Sequence, residues 1–184
     1  SPVYEIPSLK LAEEASFPIT PALNSACWQG TAGTFVKEAS PYTEAHPMAL
    51  LIQFLAMFGA TVGSQPHAAV GATLHRANLF VAQVGDTSKA RKGDSWNMVI
   101  EPFEAAAKTL LATGFRLPVA VGGVGSGEGV VHAVRDPREN KDGEWVDGVD
   151  DKRLLIQESE MARLLRVMTR EGSTTSPVLR QAWD

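Results

Sequence analysis

The segment at residues 78–96, NLFVAQVGDTSKARKGDSW, constrains the fold more strongly than any other stretch. It begins with a short run of apolar and β-branched residues, which is typical of a strand. A glycine-bounded basic loop follows, and apolar residues then return at helical spacing from Trp96 onward. In this order, the amides of the loop and of the helix N-terminus can converge on one anion. The segment therefore predicts a phosphate-binding loop.

The spacing within this loop departs from the standard phosphate loop, which has Gly, four residues, Gly, Lys and then Ser or Thr. Here Arg91 takes the position of the lysine, and Lys92 stands one residue later. A loop with one inserted residue still allows Lys92 to contact the β- and γ-phosphates, with Ser95 or Thr87 near a metal. The alternative interpretation is a basic surface turn between a strand and a helix.

A second motif for the same chemistry is LLIQESE at residues 154–160. An apolar strand that ends in carboxylates is how many nucleotide hydrolases place a magnesium-binding acid and a glutamate that activates water. Glu158 and Glu160 are the candidates. The alternative is a strand followed by an acidic helix N-terminus, where the helix dipole favours carboxylates. The motif follows the phosphate loop in the order that such enzymes use, which favours the functional interpretation.

The glycine-rich stretch at residues 122–129, GGVGSGEG, contains no lysine and is a poor phosphate cradle. We interpret it as a mobile connection, and the alternative is a loop that closes over a ligand with Ser126 and Glu128. A dinucleotide site is disfavoured here, because no acidic residue ends a second strand about 20 residues further on. The spacing of the four histidines fits no metal motif.

Predicted strands and helices alternate around these motifs. The predicted strands are at residues 78–84, 117–121 and 154–156. The predicted helices are at residues 26–39, 47–63, 94–113, 130–135, 161–168 and 176–182. Such alternation predicts an α/β fold with a mainly parallel sheet and helices on its faces. The helix at 47–63 is apolar on nearly every side, so it should lie in the centre of the fold.

Composition disfavours several classes of function. The net charge of −4 argues against a domain that binds nucleic acid through its whole surface, although it is compatible with a local basic patch. The longest apolar run, at residues 48–60, is shorter than the roughly 20 residues that cross a bilayer. A single cysteine, Cys27, is typical of a cytosolic protein. We therefore expect a cytoplasmic protein with no membrane partner.

Four blocks of sequence, taken in order, resemble one protein family. They are NLFVAQVGDTSKARKGDSW, GSGEGVVHAVRDP, DKRLLIQESEMARLLRVMTREG and SPVLRQAWD, and the similarity runs from about residue 45 to the end. The family comprises largely uncharacterised P-loop ATPases of bacteria, phages and mobile elements, with a RecA-like core akin to replicative helicases. Its members often accompany primase-polymerase domains. The resemblance implies ATP and Mg²⁺ as cofactors, DNA as a partner and a homo-oligomeric ring.

By position, the resemblance assigns Lys92 as the lysine of the phosphate loop and Glu160 as the acid that ends the second motif strand. The Asp that usually precedes this acid is Ser159 here, with Glu158 one residue earlier. We expect an N-terminal arm and short helix at residues 1–44. Residues 45–184 should form a partial RecA-like P-loop NTPase core, truncated at its C-terminus. The predicted nucleotide-binding residues are Gly85, Asp86, Thr87, Ser88, Lys89, Ala90, Arg91, Lys92, Gly93 and Ser95.

The resulting hypothesis is the ATP-binding domain of a helicase-like ATPase in the DNA replication of a phage or mobile element. Lys92 would neutralise the phosphates, and Ser95 and Glu158 would hold Mg²⁺. Glu158 and Glu160 would act as the catalytic acids that manage the metal and the attacking water. The alternative is a non-catalytic scaffold or DNA-contacting module with a degenerate loop, whose basic residues contact a nucleic-acid backbone.

Overall fold

A computed structural model describes residues 24–84 and 92–183, except for the side chains of residues 92 and 119–121. The helices are α1 (Gly30–Ala39), α2 (Pro47–Val62), α3 (Lys92–Thr109), α4 (Gly127–Ala133), α5 (Met161–Met168) and α6 (Thr175–Gln181). The strands are β1 (His67–Val70), β2 (Thr73–Arg76), β3 (Val119–Gly122), β4 (Arg138–Glu139), β5 (Trp145–Val146) and β6 (Leu154–Gln157). The fold is therefore mixed α/β, as the sequence predicts. Each helix in the described ranges falls short of the length or the apolar character that spanning a bilayer requires.

The core of the protein is built around α2. Pro47 begins this helix, and proline suits the position because its missing N–H has no partner there. The preceding residue, His46, accepts a hydrogen bond from the Met48 N–H through Nδ1 at 3.1 Å. Leu50 and Met57 are fully buried. The central position predicted for this helix is confirmed.

Helices α1 and α3 both contribute buried side chains to the cluster around α2. The ring of Phe54 in α2 stacks on Phe35 of α1 with a centroid distance of 4.9 Å, and it lies 5.2 Å from the ring of Phe103 in α3. Aromatic pairs at such distances add about 0.5–1.5 kcal/mol each beyond the burial of their area. Residues on both sides of the predicted boundary at residue 44 therefore share one hydrophobic core.

The described strands form three separate two-stranded sheets. The pairs β1–β2 and β4–β5 are antiparallel, whereas β3 and β6 are parallel, with Val119 opposite Leu154 and Gly122 opposite Gln157. The sequence predicts a mainly parallel sheet, but in the part of the chain that the structure describes two of the three pairs are antiparallel and no sheet exceeds two strands. The connection from β3 to β6 passes through α4 and the β4–β5 hairpin, as a parallel pair requires a crossover.

Residues 78–84 do not form a strand in the structure, which corrects the prediction made for them. A high β-propensity produces a strand only where a neighbouring strand is available to pair with. The segment instead contacts helices: Gln53 of α2 donates a hydrogen bond to the Gln83 side chain at 2.7 Å. The ring of Phe80 meets that of Trp183, beyond α6, edge-on at 5.1 Å, and the Asn78 amide donates to the Trp183 carbonyl.

Contacts along α2 give the direction of this segment. The carbonyl of Ala77 lies against Gly59 in the C-terminal part of α2, whereas Gln83 meets Gln53 earlier in the helix. The chain therefore runs antiparallel to α2 and places Val84 toward the N-terminal end of the helix. Gly59 permits the close approach, because a Cβ at this position would stand 1.9 Å from the Ala77 carbonyl oxygen.

The start of strand β6 is joined to the end of α2. The guanidinium of Arg153, one residue before β6, donates to the carbonyl of Thr61 near the end of α2 at 2.5 Å and to the carbonyl of Arg116 at 2.8 Å. Leu155 then packs onto the cluster around α2. Strand β6 therefore begins beside the C-terminal end of α2, with β3 parallel to it.

Helix α3 begins at the N-terminal end of α2. Asp94 in its first turn accepts a hydrogen bond of 2.5 Å from the hydroxyl of Thr43, which lies just before α2. Further along, Phe103 of α3 contacts Phe54 in the middle of α2. Helix α3 therefore starts beside the N-terminal end of α2 and passes its middle.

Arg153 is held in its bridging position by Asp151. The Arg153 Nη2 lies 2.7 Å from Asp151 Oδ2, and Nε lies 2.9 Å from Oδ1. The hydrogen bonds from this guanidinium are the main reason why the pKa of Asp151 is lowered from its ordinary value. The same pairing raises the pKa of Arg153. The ion pair therefore fixes the guanidinium that joins α2, residue 116 and the start of β6.

We predict that Gly59→Ala destabilises the protein by roughly 1–3 kcal/mol, because the new methyl group overlaps the Ala77 carbonyl and the backbone must move. Urea denaturation measures the change. Gly129→Ala is the matched control, since a Cβ at this helical glycine would meet only the Ser126 hydroxyl oxygen, at 3.5 Å. The control should leave stability unchanged or raise it by up to about 1 kcal/mol. Equal free energies of unfolding for the two variants would contradict the packing of residue 77 on α2.

We predict that the stability from the Asp151–Arg153 pair is present at neutral pH and lost in acid. Because folding lowers the Asp151 pKa, the contribution is complete above the unfolded value of about 3.9 and disappears as the pH falls through the folded value. Asp151→Asn should cost about 1 kcal/mol or less at pH 7, since the pair is partly exposed. Urea denaturation at pH 7 and at pH 3 tests this, with the exposed Asp150→Asn as control. A loss at pH 3 that is as large as the loss at pH 7 would contradict it.

Candidate functional site

The parallel pair β3–β6 ends in two loops that are hydrogen-bonded to each other. The pairing continues one step beyond β3, because the Gly123 N–H donates to the Gln157 carbonyl at 2.8 Å. The chain after β3 then turns through Gly123, at a φ of +84°, and the chain after β6 leads through Glu158 to α5. In open α/β sheets, ligands bind outside the carboxyl ends of parallel strands. This edge is therefore the place in the fold where a site is expected.

Glu158 joins the two loops at this edge. Its side chain is only 10% exposed. The Oε2 atom accepts a hydrogen bond from the Val124 N–H at 3.3 Å and lies 3.5 Å from Nη1 of Arg163. The Oε1 atom accepts a hydrogen bond from the Glu160 N–H at 3.2 Å. The carboxylate is thus fixed by two backbone donors and one guanidinium.

Gly123 allows these charged groups to lie against the backbone of the loop. A Cβ at this position would stand 2.2 Å from Nη1 of Arg163 and 2.8 Å from Oε2 of Glu158. The positive φ of Gly123 is a second reason for glycine, because side chains rarely adopt it. Glycine at position 123 therefore allows the Glu158–Arg163 pair to lie close to the end of β3.

The glycine-rich stretch after β3 is anchored to α6. Ser126 is the N-cap of α4, and its hydroxyl accepts a hydrogen bond from the Gly129 N–H at 3.1 Å. The Glu128 carboxylate accepts a hydrogen bond of 2.7 Å from the hydroxyl of Thr174, the residue before α6. This hydrogen bond is the largest cause of the lowered pKa of Glu128. The two residues named as ligand contacts from the sequence thus have local roles in positioning the loop.

Most of the predicted phosphate loop lies outside the described residues. This part comprises Gly85, Asp86, Thr87, Ser88, Lys89, Ala90 and Arg91. Helix α3 begins at Lys92, whose side chain is also not described. Among the residues that the structure describes, none has an atom within 4 Å of a Cβ built at Gly93. The phosphate contacts of these residues stay predictions.

Ser95 is fully buried, with 0% of its surface exposed. It lies in the first turns of α3, next to Asp94, which the Thr43 hydroxyl ties to the start of α2. A hydroxyl can bind a metal only where the metal and the phosphates can reach it. Whether they can reach Ser95 depends on the loop that precedes α3, and this loop lies outside the described ranges. The metal-binding role of Ser95 therefore stays a prediction.

The acids predicted to bind magnesium can be compared with the ligands that this ion usually has. In residues 24–84 and 92–183 there is no cluster of three His, Cys, Asp or Glu side chains that would hold a metal ion. Mg²⁺ does not require such a cage, because one or two carboxylates, waters and the phosphates of the substrate usually hold it. Glu158 supplies carboxylate oxygens at the strand edge, and Glu160 is exposed at the N-terminus of α5. Both predicted acids thus lie at the same edge of the β3–β6 pair.

Two of the motifs found in the sequence meet in the described residues, because the Val124 N–H of the glycine-rich stretch donates to the Glu158 carboxylate. Residue 84, which precedes the predicted phosphate loop, is directed toward the N-terminal end of α2, where α3 begins. The chain matches no protein-family model, no curated protein and no solved structure.

Sequence reasoning did not identify Arg163 as part of this site. It lies in the first turn of α5, three residues after Glu160, and its side chain is 51% exposed. The only signal in the sequence is an arginine one helical turn beyond an acid-ended strand. An arginine that is merely exposed to solvent on a helix has the same spacing, so the sequence does not distinguish the two cases.

We predict that Gly123→Ala destabilises the protein by more than about 1 kcal/mol, because it combines a strained positive φ with overlap of the Arg163 guanidinium. The control is Gly125→Ala, where nothing lies within 4 Å of a new Cβ. Urea denaturation compares the two, and adding Arg163→Ala to Gly123→Ala should recover part of the loss. Equal losses for Gly123→Ala and Gly125→Ala would show that the guanidinium does not lie over the loop.

Proposed function

We propose that this chain is the ATP-binding domain of a helicase-like P-loop ATPase that acts in the DNA replication of a phage or mobile element. The observation that carries the proposal is the contact between two of the predicted motifs. The Val124 N–H of the glycine-rich stretch donates to Glu158 at the carboxyl ends of the parallel pair β3–β6. The phosphate loop is assigned to the same site as part of the proposal.

The parallel pair β3–β6 supports a partial RecA-like core as the framework of this site. In the sequence the basic loop directly precedes α3, and a phosphate loop has this position at the N-terminus of a helix. We propose that β3 and β6 belong to the parallel sheet of such a core.

Each predicted residue then has a role that its chemistry allows. Lys92 neutralises the phosphates, and loop amides donate hydrogen bonds to them. Glu158 contributes an oxygen toward Mg²⁺, which polarises the phosphates when bound. Glu160 and Glu158 are the carboxylates able to take the proton of a water whose oxygen attacks the γ-phosphorus. The bond to the β–γ bridging oxygen breaks in this reaction, which gives ADP and inorganic phosphate.

Partners and compartment follow from the resemblance and the composition. We propose DNA as the macromolecular partner, a homo-oligomeric ring as the assembly and the cytoplasm as the compartment. A ring places the site of one copy beside its neighbour, which allows groups missing from a partial core to come from that neighbour.

The test is calorimetric binding of Mg-ATP to the whole chain and to Lys92→Ala. We expect micromolar affinity for the unchanged chain and a loss of at least roughly tenfold in Lys92→Ala, because charge-assisted hydrogen bonds to phosphate are among the strongest that proteins make. Lys108→Ala is the matched control, since Lys108 is an exposed lysine in the last turn of the same helix. It should bind Mg-ATP with unchanged affinity.

The same variants also test the alternative, which is a non-catalytic module that contacts DNA. That module would bind a labelled single-stranded oligonucleotide, and Lys92→Ala would weaken this binding in a salt-dependent way. An unchanged chain that binds the oligonucleotide through Lys92 but binds no Mg-ATP would overturn the proposed ATPase function.

A further inference from the structure

We propose that the exposed aromatic pair Phe80–Trp183, together with Arg76 and Arg180, is a docking surface for single-stranded DNA. Bases stack on the two rings, and the guanidinium groups contact the phosphates of the same strand. The surface consists only of described residues and contains none of the residues assigned to the nucleotide site. The choice of DNA as the nucleic acid rests on the proposed function.

The rings of Phe80 and Trp183 contact each other and remain open to solvent. Phe80 is 58% exposed, and Trp183 is 49% exposed. Their centroids lie 5.1 Å apart, and the ring planes meet at 72°. In such an edge-on contact one ring contributes its edge and the other a face, so the remaining faces are left for another partner. A nucleobase has a flat π-face that stacks on aromatic side chains of this kind.

Hydrogen bonds to the backbone hold this pair in position. The Asn78 side-chain amide donates to the Trp183 carbonyl at 2.8 Å, and the Trp183 N–H donates to the Arg180 carbonyl at 3.1 Å. Phe80 follows Asn78 by two residues, within the segment that contacts α2. Since both rings are anchored before a ligand arrives, less conformational entropy is lost on binding than with mobile side chains.

The two chain segments that meet at this pair contain no acidic residue. Residues 61–84 and 172–183 contain neither Asp nor Glu, although the whole chain contains 21 of them. Arg76 precedes Phe80 by four residues, Arg180 precedes Trp183 by three, and both arginines are exposed. Neither guanidinium has an ion pair or a hydrogen bond to another described residue. Unpaired cations beside open aromatic rings suit a polyanion with planar bases.

A single strand fits this surface better than a duplex does. In a duplex the bases stack on one another and are paired, so their faces cannot reach a protein ring. In a single strand the bases can turn outward and stack on aromatic side chains, while the backbone follows the positive charges. We therefore expect the unlabelled duplex to compete for the surface at least roughly tenfold more weakly than the single strand.

Fluorescence anisotropy with a labelled oligothymidylate of about 15 nucleotides tests the stacking. We expect Trp183→Leu and Phe80→Leu each to weaken binding roughly 5- to 150-fold, the effect of losing one stacked base. Trp183→Phe should stay within about threefold of the unchanged chain, because it keeps a ring on which a base can stack. Leucine is as apolar as the residues that it replaces, so a merely apolar role would not produce this difference.

Trp145→Leu is the matched control for the aromatic variants. Trp145 is 68% exposed, which is more than Trp183, but it lies in β5 opposite Glu139. The control should bind the oligonucleotide with unchanged affinity. Equal weakening by Trp145→Leu and Trp183→Leu would overturn the inference, as would equal affinity for the duplex and the single strand.

The salt dependence of binding tests the two arginines. Arg76→Ala and Arg180→Ala should each reduce the slope of log affinity against log salt concentration by about 0.7, as expected when a single strand loses one phosphate contact. Arg138→Ala is the control, since Arg138 is an exposed arginine in β4. It should leave the slope unchanged. A slope that neither Arg76→Ala nor Arg180→Ala alters would overturn the surface.

Two further measurements identify other occupants of the surface. Sedimentation equilibrium of the unchanged chain and of Trp183→Leu shows whether the rings join two copies of the chain. A lower oligomeric mass of Trp183→Leu with unchanged oligonucleotide affinity would overturn the inference in favour of a second copy. Tighter binding of a labelled oligouridylate of the same length would overturn the assignment to DNA.

Calorimetry with Mg-ATP separates this inference from the proposed function. We expect Trp183→Leu to bind Mg-ATP with unchanged affinity and Lys92→Ala to bind the oligonucleotide with unchanged affinity. If the unchanged chain binds no Mg-ATP but binds the oligonucleotide through Trp183, the proposed ATPase function fails and the docking surface stands. If it binds Mg-ATP through Lys92 but Trp183→Leu leaves oligonucleotide binding unchanged, the inference alone is overturned.

Discussion

The burial of α2 organises the hydrophobic core to which the neighbouring elements attach. Full burial of side chains such as Leu50 and Met57 contributes about 1.5–3 kcal/mol each, whereas Leu55 and Phe58 on another part of the helix stay exposed. Helices α1 and α3 cover part of the apolar surface. Residues 77–83 run along the helix in the opposite direction, and Arg153 ties the start of β6 to its C-terminal end.

Elements whose signals are local in sequence could be predicted, and elements that depend on distant partners could not. The helices predicted at residues 47–63 and 161–168 are observed at Pro47–Val62 and Met161–Met168. These predictions succeed because the periodicity and the signals for the helix ends lie within each segment. Residues 78–84 have strong strand propensity, but pairing depends on a neighbour that the sequence does not specify. Helix α4 begins at Gly127, earlier than predicted, where the cap from Ser126 and the contact with Thr174 outweigh the poor helix propensity of glycine.

The candidate site shows the same division between local and distant information. The position of Glu158 was predictable, because an acid that ends an apolar strand must lie at the strand edge. The contact of Arg163 with Glu158 was not, since α5 also carries Arg166 and the sequence does not distinguish the two. The burial of Ser95 was equally hidden, because it results from the packing of α3 against α2. Gly123 looks in the sequence like any other residue of a flexible glycine-rich stretch, and only the neighbouring charges explain its conformation.

Backbone groups account for the position of Glu158 at the ends of β3 and β6. The Val124 N–H and the Glu160 N–H donate to its two carboxylate oxygens at 3.3 and 3.2 Å, whereas Nη1 of Arg163 lies 3.5 Å away. Val124 belongs to the loop after β3, and Glu160 belongs to the loop after β6. Since the β3–β6 pairing holds these two loops side by side, the position of the carboxylate is a consequence of that pairing.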